Sequence, residues 1–257
     1  AADPYLLALL ALGRAELELQ ADNLQGAVGA FNRAASVAQQ SGARALEGLA
    51  SVGLGRVLLR RELWEEALIA HQEVLPRFRE AEDVAAQGLV HLGVGEARRQ
   101  LGMLPEALES FEQAREVYAT AGAPLGEAAA EQGAARVLEQ QGEAAVGARY
   151  QRAVELTLRV GRAVSDVATR EAFFDGRAPL FAEAILTSAR GAPEGAALDL
   201  ATAYARVAGR AGRAAAARRL REYEQALPTR GADLSDEAQM RNRAARQHLA
   251  AARDALK

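Results

Sequence analysis

The sequence predicts an all-α fold of paired helices laid side by side, and three observations lead there. Half of the 257 residues are apolar but only 5% are aromatic, so the core must be built from Ala, Leu and Val. Ala and Leu favour helices, and β-branched runs that would favour strands are few. Glycines recur at Gly13, Gly53, Gly93 and Gly133, a step of 40 residues. Apolar residues are spaced by three and four, as in Ala107, Phe111, Ala114 and Val117, which marks one face of a helix.

Self-similarity at a fixed period is the mark of a repeat architecture. Three residues after each glycine stands a charge (Glu16, Arg56, Glu96, Arg136), and seven after stands a polar residue (Gln20, Arg60, Gln100, Gln140). A second series keeps the same step: Ala27, Ala67 and Ala107, then Phe31, His71, Phe111 and Tyr150, then Ala34, Val74, Ala114 and Ala153. A unit of 40 residues holds two helices of about 17 residues and two short loops. The units read as 4–42, 43–82, 83–122 and 123–161. The segments QADN, RREL, LGMLP and QQGE precede the second helices. Pro105 and Pro124 suit a first helical position, where the missing N–H costs nothing. Gly42, Gly122 and Gly161 suit left-handed caps at the ends of second helices, with Glu82 interrupting that series. Pro76 falls inside a predicted helix, where a kink is expected.

Beyond Val164 the strict period fails but helical patterning persists. Residues 162–227 read as an irregular helical extension continuing the row. Its first part breaks at Asp175-Gly176 and restarts at Pro179; residues 193–227 give one or two more helices. A polar loop at Pro228 to Asp233 follows. Ser235 then caps a last helix within 234–257, helped by Asp236 and Glu237 in its first turn.

Composition excludes several functions. There is no cysteine, hence no disulfide framework, thiolate metal site or cysteine nucleophile. A net charge of −3 gives no global attraction for nucleic acid or an anionic membrane. No apolar run approaches the roughly 20 residues of a membrane helix, and the apolar stretch Tyr5 to Leu12 lacks a preceding basic region. A cytoplasmic protein is expected. Lys257 is the sole lysine among many arginines, which reads as the codon bias of a GC-rich, bacterial genome.

Leu92-Gly93-Val94-Gly95 and Val52-Gly53-Leu54-Gly55 in first helices, and Trp64, Ala67, Leu104, Ala107, Phe111 and Ala114 in second helices, resemble the tetratricopeptide repeat. The stretch LGMLPEALESFEQAREVYATAG, 101–122, is the closest, and the step of 40 matches the longer variant of that repeat. Ala15 in unit one and Val146 in unit four depart from the pattern. The resemblance covers about 4–161 and implies a right-handed αα superhelix: a solenoid of about four 40-residue hairpins with further C-terminal helices. Residues 162–257 are similar to the region between repeats and protease in bacterial CHAT proteins, which are caspase-like. Arg170-Glu171-Ala172-Phe173, Leu180-Phe181, Ile185-Leu186 and the Arg-studded segment Arg206 to Arg221 carry that likeness, with Ala205-Arg206 where the family has Glu-Arg.

In the tetratricopeptide family the first helices line the concave surface. By the glycine register that face holds Leu12, Glu16 and Leu19; Leu49, Val52, Arg56 and Leu59; Leu89, Leu92, Glu96 and Arg99; and Gln132, Arg136 and Glu139. Apolar patches with alternating charge suit an extended peptide or a helix; the same charges could instead pair along neighbouring helices. His71 and His91 lie on adjacent helices without a visible third ligand, so they read as packed residues rather than a metal site; Trp64 likewise reads as core. The segment Arg206, Arg210, Arg213, Arg218, Arg219 and Arg221 reads as a solvated helix face rather than a nucleic-acid site, and Gly209-Arg210-Ala211-Gly212, with no preceding strand, is no phosphate loop. No nucleophile–base pair appears. The expectation is a non-catalytic scaffold, without cofactor or metal, that binds a protein or peptide on its concave surface; the terminal helices either cap the solenoid or mediate self-association. The alternative expectation is a regulatory module of a CHAT-type protease whose catalytic domain lies elsewhere.

Overall fold

The computed structural model describes residues 3–143, 145–191, 195–227 and 235–257. The described residues form helices and no strand: α1 (Pro4–Gln20), α2 (Leu24–Gln40), α3 (Arg44–Arg60), α4 (Trp64–Glu80), α5 (Val84–Gln100), α6 (Leu104–Thr120), α7 (Pro124–Gln141), α8 (Val146–Arg162), α9 (Val167–Asp175), α10 (Ala178–Gly191), α11 (Ala196–Ala205), α12 (Arg210–Ala226) and α13 (Asp236–Ala255). No described helix is long and apolar enough to cross a membrane. The chain divides into two compact units, Ala1–Gln141 and Gly142–Lys257.

The first unit is an αα solenoid. Its helices start every 20 residues from α1 to α7, half the period legible in the sequence. The reason lies in the turns. A residue in the left-handed region closes each one: Asp22, Gly42, Glu62, Glu82, Gly102 and Gly122. Glycine adopts that region without penalty; Asp22, Glu62 and Glu82 adopt it at φ of 52–61°, so Glu82 continues the series it interrupts by residue type. Asn23 and Asp83 start α2 and α5 by accepting from the N–H of Gly26 (3.1 Å) and Ala86 (3.0 Å), as capping side chains do. Pro124 opens α7, and α4 runs through Pro76.

Each helix packs on the next, and α1, α3, α5 and α7 also touch in succession. These first helices of each pair are therefore the tightly spaced side of the row. What allows the close approach is a ring set into glycine. An added Cβ at Gly53 would lie 2.1 Å from Phe31, and one at Gly133 would lie 2.2 Å from Phe111. His71 is seated between Gly55 and Gly93 in the same way, and Tyr118 between Gly88 and Gly126. Phe31, His71 and Phe111 are one repeat apart, so the step of 40 is a row of ring slots. These contacts build the clusters of Phe31 with Val57, of Phe78 with Val90, and of Phe111 with Val137.

The second unit has a different plan. Helix α10 packs against α8, α11, α12 and α13, while α9 lies against α8 and α12. Leu180, Phe181, Ala182, Ala184 and Ile185 are all buried along α10. Phe181 stacks on Tyr204 with centroids 4.3 Å apart, and the Tyr204 hydroxyl donates to the Phe174 carbonyl at 3.1 Å. The expected break falls at Gly176-Arg177, between α9 and α10, and residues 193–227 give the two helices α11 and α12. Gly161 is no left-handed cap: it lies inside α8, where a Cβ would strike Phe174. Ser235 caps α13 by accepting from the Ala238 N–H; the loop expected at Pro228 to Asp233 lies outside the described residues. The expected fourth pair is divided, since α7 belongs to the first unit and α8 to the second.

Candidate functional site

The candidate surface is the row of first helices in the first unit, and its residues divide by helical angle. Leu49 and Leu89 stand one repeat apart, with Leu49 half-buried and Leu89 39% exposed. Leu9 precedes them in the same register and is 41% exposed. The sequence reading missed Leu9, although the step of 40 from Leu49 pointed to it. Arg56, Glu96 and Arg136 lie half-buried on the same line, with Gln100 at its exposed edge.

Val52 is a correction. It is enclosed in the cluster of Val74, Phe78, Val90 and Val94 and touches no solvent to speak of, so it holds α3 to its neighbours rather than meeting a partner. Leu19 is likewise buried beside Phe31. The cause is geometric: at 100° per residue, Val52 lies well round the helix from Leu49, far enough to turn into the hairpin. Leu59, Leu92 and Arg99 lie near that trailing edge and are half-buried, with Leu92 packed beside Phe111 and Ala114. Gln132 is half-buried on α7, and Glu139 is exposed.

The charges along the row are engaged. Arg56 donates through Nη1 to Glu16 across the α1–α3 contact, and Arg60 pairs with Asp22 at 2.6 Å. Each side chain of the two pairs is at least 39% exposed to solvent, so each pair contributes about 0–1 kcal/mol. Glu96 is held within α5 instead, accepting from Arg99 at 2.6 and 3.1 Å and from Gln100 at 3.0 Å. Gln132, Arg136 and Glu139 also have interaction partners. The alternation of sign thus supports neighbour pairing at its first step and an intrahelical fork at its third.

The histidines belong to the packing. His71 is fully buried, and neither ring nitrogen has a hydrogen-bond partner. Burial, and then the charge of Arg56, pull its pKa down to about 4, so the ring stays neutral in its slot. Burial also lowers His91, with Arg79 and Arg98 adding to the effect. Among the described residues no three His, Cys, Asp or Glu side chains are grouped to hold a metal ion. Trp64 is half-buried at the start of α4.

In the second unit the Gly209 and Gly212 pair makes room for a carboxylate. A Cβ at Gly212 would lie 2.3 Å from Asp175 Oδ1, and one at Gly209 would lie 2.8 Å from Oδ2. The first turn of α12 is thereby faced by an acidic side chain, a favourable neighbour for a helix N-terminus. Arg213 donates to the Ala208 carbonyl at 2.6 Å, and Arg219 reaches Glu183 at 3.3 Å; Arg206, Arg210, Arg218 and Arg221 are exposed. A surface hollow of about 500 Å³ lies between Arg44, Glu47, Arg77 and Glu80, at one end of α3 and α4. Arg77 and Glu47 are paired across it at 3.0 Å.

No protein-family model and no curated protein matches the chain.

Proposed function

We propose that the first unit is a protein-interaction scaffold of the tetratricopeptide type that holds a peptide or a partner helix along its first helices. One observation carries the reading: Leu9 and Leu89 stay solvent-exposed, with Leu49 half-buried between them, at a spacing of one repeat on the tightly spaced side of the row. Large apolar side chains left in water in a regular line suit a ligand that runs across successive helices. The half-buried charges between them supply polar contacts at the rim, where specificity more than affinity is set. In this reading the chain is not an enzyme and works in the cytoplasm of a bacterium. The likeness of α9 to α12 to the CHAT-associated region makes the second unit a candidate link to an effector domain.

The test is affinity capture from the encoding organism with the wild-type chain, with Leu49→Glu/Leu89→Glu, and with Arg56→Glu and Glu96→Arg. Captured partners are expected to be lost with the leucine pair and weakened with the charge reversals. Ile69→Glu, on the exposed side of α4, is expected to retain them. Unchanged capture by the leucine pair defeats the proposal.

A further inference from the structure

We propose that two copies of this chain bind each other through unlike faces: the exposed face of α4 in one copy docks on the exposed face of α12 in the other. The division into units divides the charge. Acidic side chains outnumber basic ones in the first unit and basic outnumber acidic in the second, so the net −3 of the whole chain hides two surfaces of opposite sign. On α4 the acidic side is built around Ile69, a large apolar residue left 54% exposed. Glu65 and Glu73 stand four residues before and after it, both on the surface. On α12 the basic side is built around Ala214, with Arg210 and Arg218 four residues before and after it, all three exposed. Charges on the flanks are engaged within their own unit: Arg77 of α4 pairs with Glu47, and Arg219 of α12 reaches Glu183. Glu65, Glu73, Arg210 and Arg218 have no side-chain ion pair or hydrogen bond among the described residues.

The two faces match in register. Four residues advance about 6 Å along a helix and about 40° round it, so on each helix two like charges flank one central residue at the same spacing. With Ile69 laid against Ala214 and the helices antiparallel, Glu65 comes opposite Arg218 and Glu73 opposite Arg210. Ala214, with the exposed Ala211 beside it, is small and leaves a hollow that the Ile69 side chain fills. The occupant is a second copy because this one sequence carries both halves, a knob between carboxylates and a hollow between guanidiniums. Opposed charges of this kind set register and partner choice more than affinity. Exposed ion pairs contribute little singly, so the contact is weak and weakens further with salt. The faces differ, and a copy engaged through α4 still offers α12 to another. Association of this kind continues from copy to copy unless it closes into a ring.

The experiment is sedimentation velocity of the full chain at neutral pH over a range of concentrations. The average sedimentation coefficient is expected to rise with concentration, and to rise less when salt is added. Ile69→Glu should weaken the association by about tenfold or more. Two charge-reversed chains decide the matter: Glu65→Arg/Glu73→Arg, and Arg210→Glu/Arg218→Glu. Each should stay monomeric alone, and the two should associate when mixed in equal amounts, because α12 of the first then faces α4 of the second with opposite charge. Misfolding could abolish association in either variant but could not restore it in the mixture. A wild-type chain that is monomeric at every concentration overturns the proposal, and so does association that both reversals leave intact, or a mixture that stays monomeric. A monomeric wild-type chain that binds a fluorescent single-stranded oligonucleotide, with that binding lost in Arg210→Glu/Arg218→Glu, assigns the α12 face to nucleic acid and also overturns it.

Discussion

The two units build cores from the same Ala- and Leu-rich material on opposite plans. In the first, each helix meets its neighbours in the row and rings are seated in glycines between them. In the second, α10 meets four other helices and the rings of Phe174, Phe181 and Tyr204 touch each other. A row of nearest-neighbour contacts distributes stability along its length, whereas a hub ties every helix to one element. The difference shows that a repeat is maintained by what sits between units, and a cluster by what sits at its centre.

The largest test of that contrast removes one ring from each plan. Phe111→Ala and Phe181→Ala each delete a buried ring and should each cost about 3–5 kcal/mol. Hydrogen exchange should separate them. With Phe111→Ala, protection should fall in α5, α6 and α7 while α1 and α2 keep theirs; with Phe181→Ala it should fall together in α8, α11, α12 and α13. Uniform loss throughout the first unit would break the comparison.

Next comes the slot that holds a histidine. His71 occupies the position of Phe31 and Phe111, and its pKa is held at about 4 against an ordinary 6.5. The folded state therefore binds this proton more weakly than the unfolded chain does. Its stability is intact above the unfolded value and declines as pH falls below it, reaching a loss of about 3 kcal/mol near pH 4. Denaturant melts of His71→Phe from pH 7 to pH 4 should lose most of that slope and keep a residue of it from His91, which burial shifts in the same direction. A variant as acid-sensitive as the wild type would show that the slot does not carry the effect.

The smallest test compares one substitution at two positions of a single register. Gly53→Ala drives a methyl into Phe31 and should destabilise by about 1–3 kcal/mol. Gly13→Ala meets open space and should stabilise by about 0.5–1 kcal/mol. Thermal melts of the two variants suffice, and equal shifts of one sign would remove the ring slot as the meaning of the glycine step.

Much of this was legible in the residues. The recurrence of Gly13, Gly53, Gly93 and Gly133, and of Phe31, His71 and Phe111, marked both partners of the ring slot, though not that they meet. Periodicity drew the candidate face as one stripe, and Leu49, Leu89 and Arg56 keep surface on it. Val52 does not, because a stripe drawn from spacing has a width but no knowledge of the neighbour that closes one edge. Leu9 stands at the same offset from Gly13 as Leu49 from Gly53 and Leu89 from Gly93, so the register already contained it.

By itself the sequence determined that this chain is helical, that its helices come in repeating pairs as far as α7, and that the regular step ends in the region of Val164. These are consequences of local propensity and spacing, which each segment carries with it. Tertiary structure alone decided that Gly53 is filled and Gly13 open, that α7 and α8 belong to different units, and that α10 is a hub. Burial is a relation between a side chain and whatever packs against it, so identical residues in identical registers acquire different roles from their neighbours.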